Sequence, residues 1–127
     1  MPVISLKINV SLPDIKQEYL CKDIAVEAAK ILGKNPDTAM VTYTECSIFL
    51  NNTSDNAVFF DIESIGIDNQ EKQSIICNKL YEILKKYIEI DSSRIFLNFI
   101  DVNPSFAWKF QNGYAESLES IILSKKV

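Results

Sequence analysis

Two stretches of this chain carry the same succession of patterns, strand then helix then strand, and that repetition restricts the fold more than anything else in the sequence. Ile4, Leu6, Ile8 and Val10 alternate with Ser5, Lys7 and Asn9, the period of two that gives a strand one buried face. Leu20, Ile24, Ala28, Ile31 and Leu32 then recur at helical spacing. Asp14 with Gln17 three residues on has the pattern of a capping box, and Gly33 supplies a stop. A second strand is predicted over Met40–Cys46, with the polar tip Asn51–Asn56 after it. Val58, Phe60 and Ile62 open the second copy. Asp68 with Glu71 marks its helix start, Ile76, Leu80, Ile83, Leu84 and Tyr87 trace the stripe, and Ile95–Val102 reads as the fourth strand. An offset of about 55 residues brings Val3 onto Val58, Asp37 onto Ser92 and Tyr43 onto Asn98.

Two β-α-β crossovers of this size predict an α+β, two-layer fold, a four-stranded sheet with both helices on one face. The opposite face then needs cover. Lys7, Asp61, Glu63 and Asn98 fall on it among apolar neighbours, which suits an assembly surface holding some water; plain exposure to solvent is the alternative.

At 127 residues, 47% of them apolar, the chain is large enough for one domain with its own core. Its net charge of −4 argues against a surface that tracks phosphates, so no nucleic-acid partner is expected. The sequence contains no histidine, which removes the commonest general base and the commonest metal ligand together. Any catalysis falls to carboxylates, lysines, thiols or the N-terminus, and no metal is expected. Cys21, Cys46 and Cys77 are odd in number and lack C-x-x-C spacing, so they read as reduced thiols. No basic-led apolar leader and no run of membrane-span length is present. The expectation is a cytoplasmic protein with no membrane partner, with an unusual export route left open.

Pro2 stands directly behind Met1. Removal of Met1 would make it a secondary amine on a rigid ring, able to take a proton where a peptide nitrogen cannot. Pro2 is therefore a candidate general base, although a proline in second position is by itself an ordinary start-site residue.

Further landmarks follow in order: Gly33-Lys34 at the end of the first helix, Ser64-Ile65-Gly66 after the third strand, Arg94-Ile95-Phe96-Leu97-Asn98-Phe99 with Asp101 in the fourth, and Ala107-Trp108 beyond it. Together with Met-Pro, this set resembles the macrophage migration inhibitory factor family of the tautomerase superfamily over residues 1–115. The resemblance implies a homotrimer whose sheets enclose a channel, with active sites between subunits. It also implies cofactor-independent keto-enol tautomerisation of small enolisable acids such as phenylpyruvate, and in many relatives of dopachrome-type substrates. Pro2 would be the catalytic base and Lys34 would attract the substrate carboxylate while depressing the proline pKa. Lys34 also suits a helix C-terminus as an ordinary cation. The Ser64-Ile65 segment and Asn98, the latter from a neighbouring subunit, would hold the carbonyl or ring end of the substrate, and Phe106, Trp108 and Tyr114 would form an aromatic rim.

Departures from the family pattern are specific. Phe96 replaces a tyrosine and lacks its hydroxyl, and Thr38 stands where another pocket tyrosine is common. Asn51-Asn52 replaces a glycine pair, with side chains that tolerate left-handed backbone. Ala57-Val58-Phe59-Phe60 replaces a C-x-x-C, which disfavours thiol redox work. Residues 116–127 extend beyond the match, and Leu118, Ile121 and Ile122 allow one amphipathic helical face ahead of Lys125-Lys126. This tail is expected on the trimer surface or on a neighbouring subunit. Two alternatives to the enzyme stay open: a cytokine-like trimer that binds a protein receptor and keeps a vestigial pocket, and a small-molecule binder without turnover.

Overall fold

Alternation along the first strand resolves into two faces of a four-stranded sheet in the computed structural model, which describes residues 1–124. Strand β1 (Val3–Ile8) leads into helix α1 (Asp14–Leu32), β2 (Met40–Glu45), β3 (Val58–Ser64), α2 (Gln70–Lys85) and β4 (Ile95–Asp101). A hairpin of β5 (Trp108–Gln111) and β6 (Tyr114–Ser117) follows, then helix α3 (Leu118–Ser124). The main sheet runs β2-β1-β3-β4. Within each half the strands are parallel, β1 with β2 and β3 with β4, and the halves meet antiparallel at β1 and β3.

Ile4, Leu6 and Ile8 of β1 and Val58, Phe60 and Ile62 of β3 pack with Leu20, Ile24 and Ala28 of α1 and Ile76, Leu80 and Leu84 of α2 in one core. Each large apolar side chain taken out of water there contributes about 1.5–3 kcal/mol, so the helix layer holds the sheet. The expected two-layer α+β architecture is present. No helix among the described residues is long and apolar enough to cross a membrane.

The repeat is real, but its offset is 56 residues and not 55. Asp14 and Gln70 both open helices, and Leu20 with Ile76, Ile24 with Leu80 and Ala28 with Leu84 occupy matching core positions. An odd offset would pair buried strand positions with open ones, because a one-residue slip turns every strand side chain to the other face.

Both helix starts differ from expectation. α1 begins at Asp14 itself, capped without a side-chain bond. The carbonyl of Pro13 accepts from the N–H groups of Lys16 and Gln17 at 2.9 and 3.0 Å, while Gln17 Nε2 donates to the carbonyl of Leu12 at 2.8 Å. No capping box forms, because Asp14 is already inside the first turn. At α2 the cap is Asn69, whose Oδ1 accepts from the N–H of Lys72 at 3.0 Å, and not Asp68. Asn69→Ala should therefore lower stability by about 1 kcal/mol in chemical denaturation, whereas Asp68→Ala should leave it nearly unchanged; the reverse order would restore the Asp68 assignment.

β1 also ends before Asn9. The Asn9 side-chain amide donates to the carbonyls of Ser54 and Asp55 at 3.2 and 2.9 Å, and its Oδ1 accepts from the N–H of Ala57 at 2.7 Å. The residue is drawn into the loop before β3. In the polar tip Asn51 and Asn52 take φ of 53° and 61°, the left-handed backbone their side chains tolerate. Arg94 fixes that tip, donating to the carbonyls of Leu50, Thr53, Asp55 and Asn56 at 2.8–3.2 Å.

Register places Ser5, Asp61 and Asn98 in one row and Lys7, Phe59 and Phe96 in the next, on the face away from the helices. Phe96 and Ile100 are exposed there. The mixture of charge and apolar surface is the one the sequence predicts.

Candidate active site

Three chain segments converge at the start of β1. Pro2 is buried, and its carbonyl accepts from the N–H of Met40 at 2.9 Å, the bond that opens the β1–β2 pairing at Val3 and Met40. Helix α1 ends in a left-handed turn at Gly33, with φ of 68° and ψ of 31°. There the N–H of Gly33 donates to Lys30 at 3.2 Å and that of Lys34 to Ala29 at 2.8 Å, the paired bonds of a Schellman motif. The turn reverses the chain and brings Lys34 beside the N-terminus. β3 ends in Ser64-Ile65-Gly66, where Gly66 takes φ of 76° and its N–H donates to Asp101 Oδ1 at 2.9 Å.

A cavity of ≈ 270 Å³ lies among these segments. Met1, Lys34 and Ile65 line it, with Lys109 of β5 and the apolar side chains of α3 on the facing wall. A neighbouring cavity of ≈ 410 Å³ shares Met1, Thr38, Lys109 and Leu118 and adds Met40 and Trp108. Burial, then the Lys34 and Lys109 ammonium groups, hold the Met1 amine below its usual range. Desolvation and neighbouring cations both disfavour the protonated form.

The remaining sequence-predicted residues are distributed differently. Ser64 is fully buried and its hydroxyl has no partner; its side chain continues the core face of Phe60 and Ile62, so only its backbone adjoins Ile65. Thr38 lines both cavities, its hydroxyl donating to the carbonyl of Asn35 at 2.7 Å. Asn98 is exposed on edge strand β4 and lines neither cavity. Phe96 lines a separate cavity of ≈ 180 Å³ with Phe49 and Arg94. Phe106 and Tyr114 are 81% and 79% exposed and stand outside the two N-terminal cavities.

Two contributors escaped the sequence reading, Lys109 and the placement of α3. The hairpin that carries Lys109 turns at Asn112-Gly113, both at positive φ, 53° and 85°, and Asn-Gly is a strong signal for a two-residue hairpin. That dipeptide would have revealed β5 and β6, and it shows that Glu116 and Ser117 belong to β6 and not to a helical tail. α3 packs against its own chain: Ile121 is buried, and Leu118 N–H donates to the Ala107 carbonyl at 2.7 Å. Lys125 and Lys126 lie outside the described residues.

Other chemistries find less support. Burial pushes the Cys21 and Cys77 thiols up, which lowers their thiolate fraction. Among the described residues no group of three or more side chains is placed to hold a metal. A wider depression lined by Asp55, Glu89, Asp91 and Arg94 measures ≈ 590 Å³, but its cation is engaged with loop carbonyls.

The sequence model of the macrophage migration inhibitory factor (MIF) family matches residues 1–112. No curated protein matches the chain by sequence. Among solved structures, the macrophage migration inhibitory factor of Toxoplasma gondii is similar with a TM-score of 0.79 and 22% identity, over 90% of this chain and 99% of that one. That of Oncomelania hupensis has a TM-score of 0.77 and 22% identity, over 99% and 93%. The protein Pt0534, solved after inactivation by 2-oxo-3-pentynoate, has a TM-score of 0.79 at 12% identity, over 94% and 98%.

Proposed function

This chain belongs to the macrophage migration inhibitory factor family, and on that premise we propose that it is a cofactor-independent keto-enol tautomerase of small enolisable acids such as phenylpyruvate. The observation that carries the reading is the meeting of Met1, Lys34 and Ile65 at one cavity, with the buried Pro2 next in the chain. After removal of Met1, the nitrogen of Pro2 becomes the free amine, one residue deeper in the same surroundings. A base for proton abstraction next to a carbonyl works best with a pKa near the operating pH, and the burial and cations that depress the amine act in that direction.

Lys34 anchors the substrate carboxylate. The backbone at Ile65 steers the oxygen end, and Trp108 supplies an aromatic wall. The assembly is a homotrimer in which the bare sheet face turns inward and a neighbouring copy brings its Asn98, with Phe96 beside it, to the site; an amide donor there stabilises developing enolate charge. The inactivation of Pt0534 by 2-oxo-3-pentynoate, a 2-oxo acid, supports the substrate class.

The test is enol-to-keto conversion of phenylpyruvate by chains whose N-terminus is defined by mass spectrometry. Chains beginning at Pro2 turn over, and chains retaining Met1 do not, because their Pro2 nitrogen is an amide. For the active form kcat/KM rises with pH through an apparent pKa below about 7.7–8.0, the range of an unperturbed α-amine. Background rates from both forms would overturn the enzyme reading and favour a signalling or binding trimer.

A further inference from the structure

Lys109 and Lys34 line the same ≈ 270 Å³ cavity, and neither is part of an ion pair among the described residues, where the ion pairs are those of Lys79 with Glu27 and Glu82. Two acids adjoin Lys109 by strand pairing or shared cavity lining, Glu116 and Asp37, and neither forms an ion pair with it. Glu116 is its cross-strand neighbour, but its Oε1 accepts from Ser120 Oγ at 3.3 Å. Asp37 lines the adjoining cavity with Lys109 and does not line this one. Most of the remaining wall is apolar, from Ile65, Leu118, Ile121 and Ile122.

Two like charges facing one small, largely apolar space repel each other, and the low-dielectric wall strengthens that repulsion. An anion between them removes the cost, and an anion with two separated charges removes it at both ends. We infer that Lys109 is a second anion anchor of this site, so that the pocket selects a compact keto acid carrying another anionic group at the end remote from the 2-oxo carboxylate. The inference rests on the preceding reading only for Lys34 as the first anchor. The downward shift of the N-terminal amine, to which Lys109 contributes through its charge, agrees with its orientation toward the cavity. Helix α3 completes the selection by adding Leu118, Ile121 and Ile122 to the cavity wall, which favours a short carbon bridge over a polar one.

The position of Lys109 follows from the fold. β5 is held by the Asn112-Gly113 turn and by the bond from Leu118 N–H to Ala107 just before it. The lysine therefore projects from a paired strand and not from a loose terminus.

Equilibrium binding without turnover tests this, using the full chain with its N-terminus defined, and glutarate and pentanoate as probes that share a five-carbon skeleton but carry two charges and one. The wild type binds glutarate about fivefold more tightly than pentanoate, the scale of one partly screened ion pair, and the preference shrinks as salt is raised. Lys109→Gln removes the preference while pentanoate affinity stays within about twofold of wild type, and Lys109→Arg restores it. Equal binding of the two acids by wild type, or an unchanged preference in Lys109→Gln, overturns the inference. Neither measurement depends on catalysis, so failure of the tautomerase reading leaves this result interpretable.

Discussion

Pro2→Gly lowers kcat/KM for phenylpyruvate tautomerisation by about a hundredfold or more, within the 10²–10⁴ range that a positioned general base supplies, while the melting temperature moves little. The comparison is made on chains whose Met1 has been removed, so both proteins present a free amine. What glycine lacks is the ring. A ring fixes the direction of the nitrogen lone pair and holds the secondary amine where the first residue of β1 begins, whereas glycine adds rotational freedom that lowers the fraction of time in a reactive geometry. KM changes less than kcat, because Lys34, the proposed carboxylate anchor, is untouched. Equal kcat in the two proteins would remove Pro2 from the mechanism even if the chain proved to be an active tautomerase.

The largest loss of stability is expected at Phe60. It is fully buried in β3, beside Leu6 of β1 on one side and Leu97 of β4 on the other, and it belongs to the core shared with both helices. Phe60→Ala removes most of that side chain from a place where three strands and the helix layer meet. The cost is about 3–5 kcal/mol, combining lost burial with the cavity left behind. For a domain of this size that corresponds to a fall of roughly 10–20 °C in melting temperature. Denaturant unfolding should show a lower midpoint with an unchanged slope. A fall of less than about 1 kcal/mol would mean that the core collapses around the gap, and that β3 is less central than the register indicates.

How much of this was legible depended on whether a signal was local and periodic. The strands and helices announced themselves through Ile4-Leu6-Ile8 and through Leu20-Ile24-Ala28, because burial on one face imposes a period. Boundaries and caps were less secure. Asp14 and Asp68 have the right chemistry for caps, but the backbone chose Pro13 and Asn69, since a cap is decided by where the first helical turn closes and not by residue type alone. The offset of the repeat slipped by one for a similar reason: equivalent positions share element order but little side-chain identity, so only the pattern of burial fixes the register. In the candidate site, Pro2, Lys34, Ile65 and Trp108 were visible as landmarks. Lys109 was not, because its significance comes from a hairpin that folds it back to the cavity that Met1 lines, a juxtaposition of residues more than a hundred positions apart in the chain.

Chain ends usually fray, because few contacts tie them down. Here the first residues of the chain enter β1, which lies between β2 and β3 in the interior of the sheet, and the Pro2 carbonyl is already bonded to Met40. Displacing the Pro2 carbonyl breaks a bond at the end of a central strand, and an opening that spread along that strand would approach the free energy of unfolding the whole domain. Pro2 thereby shares in the constancy of the core, and its backbone keeps its place through the local fluctuations that move ordinary termini.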